Sequence, residues 1–372
     1  MANNGVFKTL GPNDFGDSKA SLHEQIPVTG TIISGTYGTF PSESNVKYFN
    51  TGDHVDLYDY PHASSSANFM FSMTAGRDVN ATIGGAASTQ ATIKNNIYRQ
   101  FAQQYVGYDT DQSVVPFNAS GVLNPTGIED AGDGASGDKF SDAIFIDFSR
   151  VLMKDEIKKG SFQIAIGTAS YNDPFSGIKT LSDAHVVEGN QQTFKTNSPM
   201  GEYALLQNGT TATVPSTSSH GLLYYQAGLL VLFPNTSTFG SQLISGSLFG
   251  LVDTTLQPDP REAMLSASVS DIVNGARAHI QNIQFNNTTE LNSTTYFLRA
   301  ANNEFNYSNN PSFVTGSEII VKAGNAGNPS VAYITTVGLY SADNQLLAVG
   351  KLSEPLKKTP QDELNIKMRI DY

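Results

Sequence analysis

Residues Leu364–Tyr372 read "LNIKMRIDY". Leu364, Ile366, Met368, Ile370 and Tyr372 alternate with Asn365, Lys367, Arg369 and Asp371. This unbroken period of two is the pattern of a β-strand with one apolar and one wet face. A C-terminal stretch of this kind is pinned into a sheet rather than trailing. Just upstream, Val331–Lys358 reads "VAYITTVGLYSADNQLLAVGKLSEPLKK". Ala332–Tyr340 and Leu346–Leu352 are expected as strands around the turn "SADNQ", where Asp343 and Asn344 tolerate positive φ. Gly338 and Gly350 mark bulges or close backbone approach. Pro355 is expected to stop the second strand, and "LKKTPQDE" to lead into the last one. The result would be a three-strand meander with a common apolar face.

Strand signals dominate the rest of the chain. "PVTGTIISGTYGTF" (27–40) mixes Val, Ile and Thr with glycine, and "SANFMFSMTAG" (66–76) sets Phe69, Phe71 and Met73 on one face. "AIFIDFS" (143–149) is short and apolar, and "SFQIAIG" (161–167) places Phe162, Ile164 and Ile166 together. "YYQAGLLVLF" (224–233) is nearly continuous, as a single strand buried on both faces would be. Two helices are expected. In "STQATIKNNIYRQFAQQYVG" (88–107), Ile93, Ile97, Phe101 and Tyr105 recur every four residues. "SVSDIVNGARAHIQNI" (268–283) is a second helix, weakened by Gly275 at its centre. The fold class is therefore mainly β with one or two helices: sandwich-like, β-rich sheets with an α+β minority. Three regions are expected. Residues 1–140 form a β-rich N-terminal region with a helix near 90–106, and 141–258 a central β region. Residues 259–372 form a C-terminal β region ending in the meander.

Of 372 residues, only 15% are charged, against about 25% in ordinary soluble domains, and the net charge is −12. That excess repels phosphate backbones and argues against nucleic-acid binding. Without cysteine there are no disulfides and no thiolate metal sites. The start, "MANNGVFKTLGPNDFG", does not read as a secretion signal. "GLLYYQAGLLVLF" (221–233) is too short to span a bilayer, so no membrane association is expected.

Catalytic chemistry is sparse. The six histidines, His23, His54, His62, His185, His220 and His279, show no ligand spacing. His54 and His62 flank Asp56 and Asp59, but a catalytic metal needs three fixed ligands, and a polar aromatic turn is the simpler reading. Glu129, Asp130, Asp133, Asp138 and Asp142 cluster in a loop without EF-hand spacing and read as a solvated segment rather than a calcium site. GxSxG and P-loop patterns are missing. The chain is read as a non-enzyme with no cofactor. Tyr58, Tyr60, Tyr224 and Tyr225 are the candidates for stacking on a sugar.

Several stretches carry a resemblance. "ITTVGLYSADNQLLAVGKL" resembles a hairpin module of phage tail-collar and tail-fibre proteins. "IQNIQFNNTTELNSTTYFLRAANNEFNYSNNPSF" (280–313) is similar to a segment of virion structural proteins from contractile-tailed phages of marine cyanobacteria. "LHEQIPVTGTIISGTYG" (22–38), "YDYPHASSSANFMF" (58–71) and "FSRVLMKDEIKKGSF" (148–162) resemble parts of the same proteins. The resemblance implies a structural virion component, assembled in the host cytoplasm, of the baseplate, tail or fibre-attachment region. The alternatives are a head, neck or capsid-decorating protein, or a glycan- or receptor-binding module of the particle. The implied partners are other virion proteins and copies of this chain, with a host-surface glycan as a further partner. The assembly-surface candidates are Tyr333, Tyr340, Asn344, Lys367, Arg369 and Tyr372.

Overall fold

The structure is a computed structural model. It describes residues 7–27, 43–79, 81, 89–121, 139–171, 173–183, 186–187, 191–192, 194–209, 219–244, 260–306, 314–315, 318–319 and 331–372. The chain divides into two compact units, one of Met1–Ser21 with Glu290–Tyr372 and one of Leu22–Thr289. This differs from the three regions expected. Position 140 ends a short strand paired with Phe117–Asn118, and position 258 lies outside the described residues.

The larger elements run in chain order as follows. They begin with β1 (Phe15–Pro27), β2 (Val46–Tyr48), β3 (Val55–Tyr58), β4 (Phe69–Arg77), α1 (Thr89–Tyr105) and β5 (Asp142–Phe148). Next come β6 (Gln163–Gly167), β7 (Ile178–Ser182), β8 (Gly201–Asn208), β9 (Gly221–Tyr224) and β10 (Leu229–Leu232). Then follow α2 (Pro260–Ser266), α3 (Val269–His279), β11 (Ile280–Ala300), β12 (Ala332–Tyr340), β13 (Leu346–Lys358) and β14 (Leu364–Asp371).

In the unit Leu22–Thr289, one antiparallel sheet has the order β2-β3-β4-β5-β10-β9-β8-β7-β6-β11. Its middle strands explain the continuous apolar runs of the sequence. In β5, Ile144 and Ile146 enter one core cluster, while Ala143 and Phe145 enter a second on the opposite face. In β10, Leu230 and Leu232 join the first, and Leu229 and Val231 the second. A strand buried on both faces has no polar alternation to show. Tyr98, Ala102 and Tyr105 of α1 cover the second cluster. Met264 of α2 and Ile272, Val273 and Ala276 of α3 cover the first.

The run 224–233 is not one strand: it holds the last residue of β9, a turn and then β10. β9 and β10 pair antiparallel, from Gly221↔Leu232 to Tyr224↔Leu229. Gly228 has φ +71°, and a Cβ there would stand against Met153 Sδ, so glycine suits this turn. The helix expected over 88–107 is α1. The second is shorter than expected: α3 opens on its N-cap Ser268, whose Oγ accepts from Asp271 N, and ends at His279. α2 was not expected at all. The strand expected over 27–40 lies, past Pro27, outside the described residues.

In the other unit, β14 pairs antiparallel with the second half of β11, from Ser293↔Asp371 to Ala300↔Leu364. β1 neighbours the same strand, Phe297 N–H donating to Asp14 O at 2.7 Å. β12 and β13 form a two-stranded sheet of their own. The expected meander is therefore corrected, because the last strand pairs with β11 rather than with the hairpin. Lys358 at the end of β13 is buried, and its ammonium donates to Asn302 O, Asn306 Oδ1 and Thr359 O. These bonds anchor the chain to the segment after β11, from which Leu364 can enter the ladder at Ala300.

Pro355 does not stop β13, which continues to Lys358. The ladder skips from Thr336↔Lys351 to Ile334↔Leu356. Pro355 lies inside that irregularity, where no ladder hydrogen bond is asked of it.

Candidate assembly surface

The hairpin's turn is built as its sequence requires. Asn344 adopts φ +61° and donates its N–H to Ser341 O at 3.0 Å; Ser341 N–H donates to Gln345 O at 2.9 Å. A second irregularity follows at once. Tyr340 pairs with Leu346 and Leu339 with Ala348, leaving Leu347 as an extra residue. Such a bulge breaks the in-out alternation. Leu346 is 53% exposed and Leu347 63%, where regular alternation would have turned one of them inward.

The outer face of the hairpin is apolar in consequence. Tyr340 and Val349 are exposed there, and Phe7 packs edge-on against the Tyr340 ring at 5.2 Å. Gly338 forms the floor: a Cβ at that position would stand 3.0 Å from the Tyr340 ring and 3.4 Å from Leu346 Cδ1. The opposite face turns toward β14, a Cβ on Gly350 falling 3.4 Å from Met368 Cε.

β14 presents a different outer surface. Lys367 and Arg369 are exposed, and Arg369 Nε donates to Asp371 Oδ1 at 2.7 Å while its Nη2 donates to Ser293 Oγ. The Ser293 hydroxyl, and then Arg369, hold the Asp371 carboxyl below its ordinary range. Arg299 pairs with Glu363 at 2.8 Å. Polar side chains that satisfy one another in water gain little from being covered. Tyr372 is 72% exposed, with its hydroxyl 3.3 Å from Thr294 Oγ1.

The six residues expected at an assembly surface thus fall in one unit but not in one patch. Tyr333, Tyr340 and Asn344 lie on the hairpin, whereas Lys367, Arg369 and Tyr372 lie on or beside the last strand. Sequence reasoning missed Phe7, Leu346, Leu347 and Val349. A signal was present: "LLAV" (346–349) is apolar at both parities, and a two-stranded hairpin cannot bury both.

Among the described residues, the other sites considered in the sequence are not assembled. His54 Nδ1 lies 2.7 Å from Asp53 Oδ1 and its ring stacks on Phe49, while His62 Nδ1 lies 3.0 Å from Ser44 O. Asp56 accepts from Ser72 Oγ, and Asp59 from Asn68 N and Nδ2. Among the described residues no group of three His, Asp or Glu side chains could hold a metal ion. The acidic loop lies outside the described residues except for Asp142, which is buried and accepts from Arg77 at 3.0 and 3.2 Å. Tyr224 and Tyr225 are buried and offer no stacking platform. Tyr60 is 59% exposed, and Tyr58 packs on Phe69.

Among the described residues no helix is long and apolar enough to cross a membrane. Comparison with family models, curated proteins and solved structures finds no match to this chain.

Proposed function

We propose that this chain is a structural component of a tailed-phage virion, acting in the baseplate, tail or fibre-attachment region by subunit–subunit contact rather than by catalysis. The observation that carries the proposal is the bulged hairpin with both Leu346 and Leu347 turned outward beside Tyr340, Val349 and Phe7. Contiguous apolar side chains held in water on a fixed scaffold mark a surface that is covered in use. The sequence resemblance of the same hairpin to tail-collar and tail-fibre modules supplies the setting. Its expected partners are other virion proteins and copies of itself. Mass spectrometry of gradient-purified particles tests the reading: peptides of this chain should copurify at a fixed ratio to the other virion proteins. Their absence would refute it.

A second reading, attachment to a host-surface glycan, draws on the loop after β3. Tyr60 stands exposed on a turn fixed by Asp59, whose carboxylate accepts from both amide groups of Asn68. Aromatic rings held this way stack on sugars. Tyr60→Ala should then reduce host adsorption at unchanged particle assembly; unchanged adsorption removes this reading.

A further inference from the structure

We infer that the unit formed by Met1–Ser21 and Glu290–Tyr372 packs through the outer face of its hairpin against the same unit of a second copy of this chain. The inference deepens the assembly role proposed above and rests on it only for the use of this face. Two independent observations carry it.

The first is how little apolar side chain the described residues of this unit bury. The unit Leu22–Thr289 holds two large clusters of buried apolar side chains. In the other unit, among the described residues, the one buried apolar side chain is Ala300. On β12 and β14 the exposure pattern alternates between half-buried and exposed, never reaching burial. An isolated two-stranded hairpin is marginal in water, and a unit of roughly a hundred residues ordinarily buries well over half of its unfolded surface. Apolar area left open on this scale is closed by association.

The second is charge, which separates the two units as faces for a second copy. The open unit holds nine Lys and Arg against ten Asp and Glu, leaving one excess negative charge. The other unit holds thirteen against twenty-four, leaving eleven. Two copies meeting through their acidic units would repel. Two meeting through the hairpin units face almost no net repulsion, and the patch at its centre, Tyr340, Leu346, Leu347 and Val349, is uncharged. An interface that is its own partner must be compatible with itself in charge and shape. This face meets the charge condition and the acidic unit does not.

The chain has no cysteine, so single introduced thiols report proximity without background. In the full-length protein, Val349→Cys is compared with Val151→Cys, which is 73% exposed in the acidic unit. With a short bis-maleimide, Val349→Cys should give covalent dimers roughly tenfold faster than Val151→Cys, because association raises the local thiol concentration. Sedimentation velocity of the wild type at micromolar concentration should show an oligomer. Leu347→Asp combined with Val349→Asp should give a monomer of unchanged circular dichroism. A monomeric wild type, or equal cross-linking at the two positions, overturns the inference. The cross-linking comparison decides even if the double variant does not fold. A monomer in solution that is nonetheless present in purified particles defeats this inference and leaves the virion role standing. An oligomer absent from particles does the reverse.

Discussion

Gly275 lies in the middle of α3, where a Cβ would collide with Leu243 O and stand 2.6 Å from Ile244 Cγ2. In the sequence this glycine reads as a helix weakness; in the fold it lets the helix approach the chain at Leu243. Gly275→Ala should therefore destabilise the protein by about 1–3 kcal/mol through overpacking, although helix propensity alone favours alanine by about 1 kcal/mol. Urea unfolding measures the sign. His220 gives a pH test. Burial, with Lys179 adding to it, pulls its pKa down to about 4, and its Nδ1 lies 3.1 Å from Thr238 Oγ1. The unfolded chain binds the proton from about pH 6.5 downward and the folded chain does not. Stability is thus full above pH 6.5 and lost as pH falls toward 4, by about 1.4 kcal/mol per pH unit for one such group. Burial lowers the pKa of His279 as well, while Asp183, whose carboxyl burial raises, works against the loss at the acid end. His220→Gln should flatten the stability profile between pH 6.5 and 4.5 without abolishing its slope. An unchanged slope would contradict the account.

Among the elements, α1 is tied to α2 by one side chain that sequence patterns do not reveal. Lys94 is wholly buried, and its ammonium donates to Met264 O at 2.5 Å, and to Leu265 O and Ala267 O at 3.0 Å each. These carbonyls close the C-terminal end of α2, where the last carbonyls have no intrahelical donor. Burial, reinforced by Arg77 and opposed by Asp142, brings the Lys94 pKa down to about 8. Lys94→Met keeps the side-chain length but leaves the carbonyls unpaired. It should cost about 2–4 kcal/mol in chemical denaturation; a cost below 1 kcal/mol would show that water replaces the ammonium. α1 was legible because its apolar residues recur every four positions. Lys94 was not, since a lysine beside that stripe ordinarily faces solvent. β14 was legible from its alternation, but its partner Ser293–Ala300 was not: "STTYFLRA" carries no matching alternation, and the pairing closes a long chain loop. The hairpin β9–β10 was hidden for the opposite reason, because strands buried on both faces leave only Gln226 and Gly228 to signal the turn.

For the molecule as a whole, the mainly β fold was written in the sequence, whereas the division into units was not. β1 and β11 each belong partly to both units, so no change of composition marks the boundary. Of the residues expected at an assembly surface, Tyr333, Tyr340 and Asn344 lie on the hairpin, but the outward turn of Leu346 and Leu347 comes from a bulge that alternation does not forecast. The functional account rests on this open apolar face, which a solitary protein would be expected to bury. The most direct test is to count this chain, by quantitative mass spectrometry, in purified particles made with wild-type protein and with Leu347→Asp/Val349→Asp. The account predicts a fixed stoichiometry for the wild type and loss of the variant from particles. Particles lacking the wild-type chain, or incorporating the variant equally well, would contradict it.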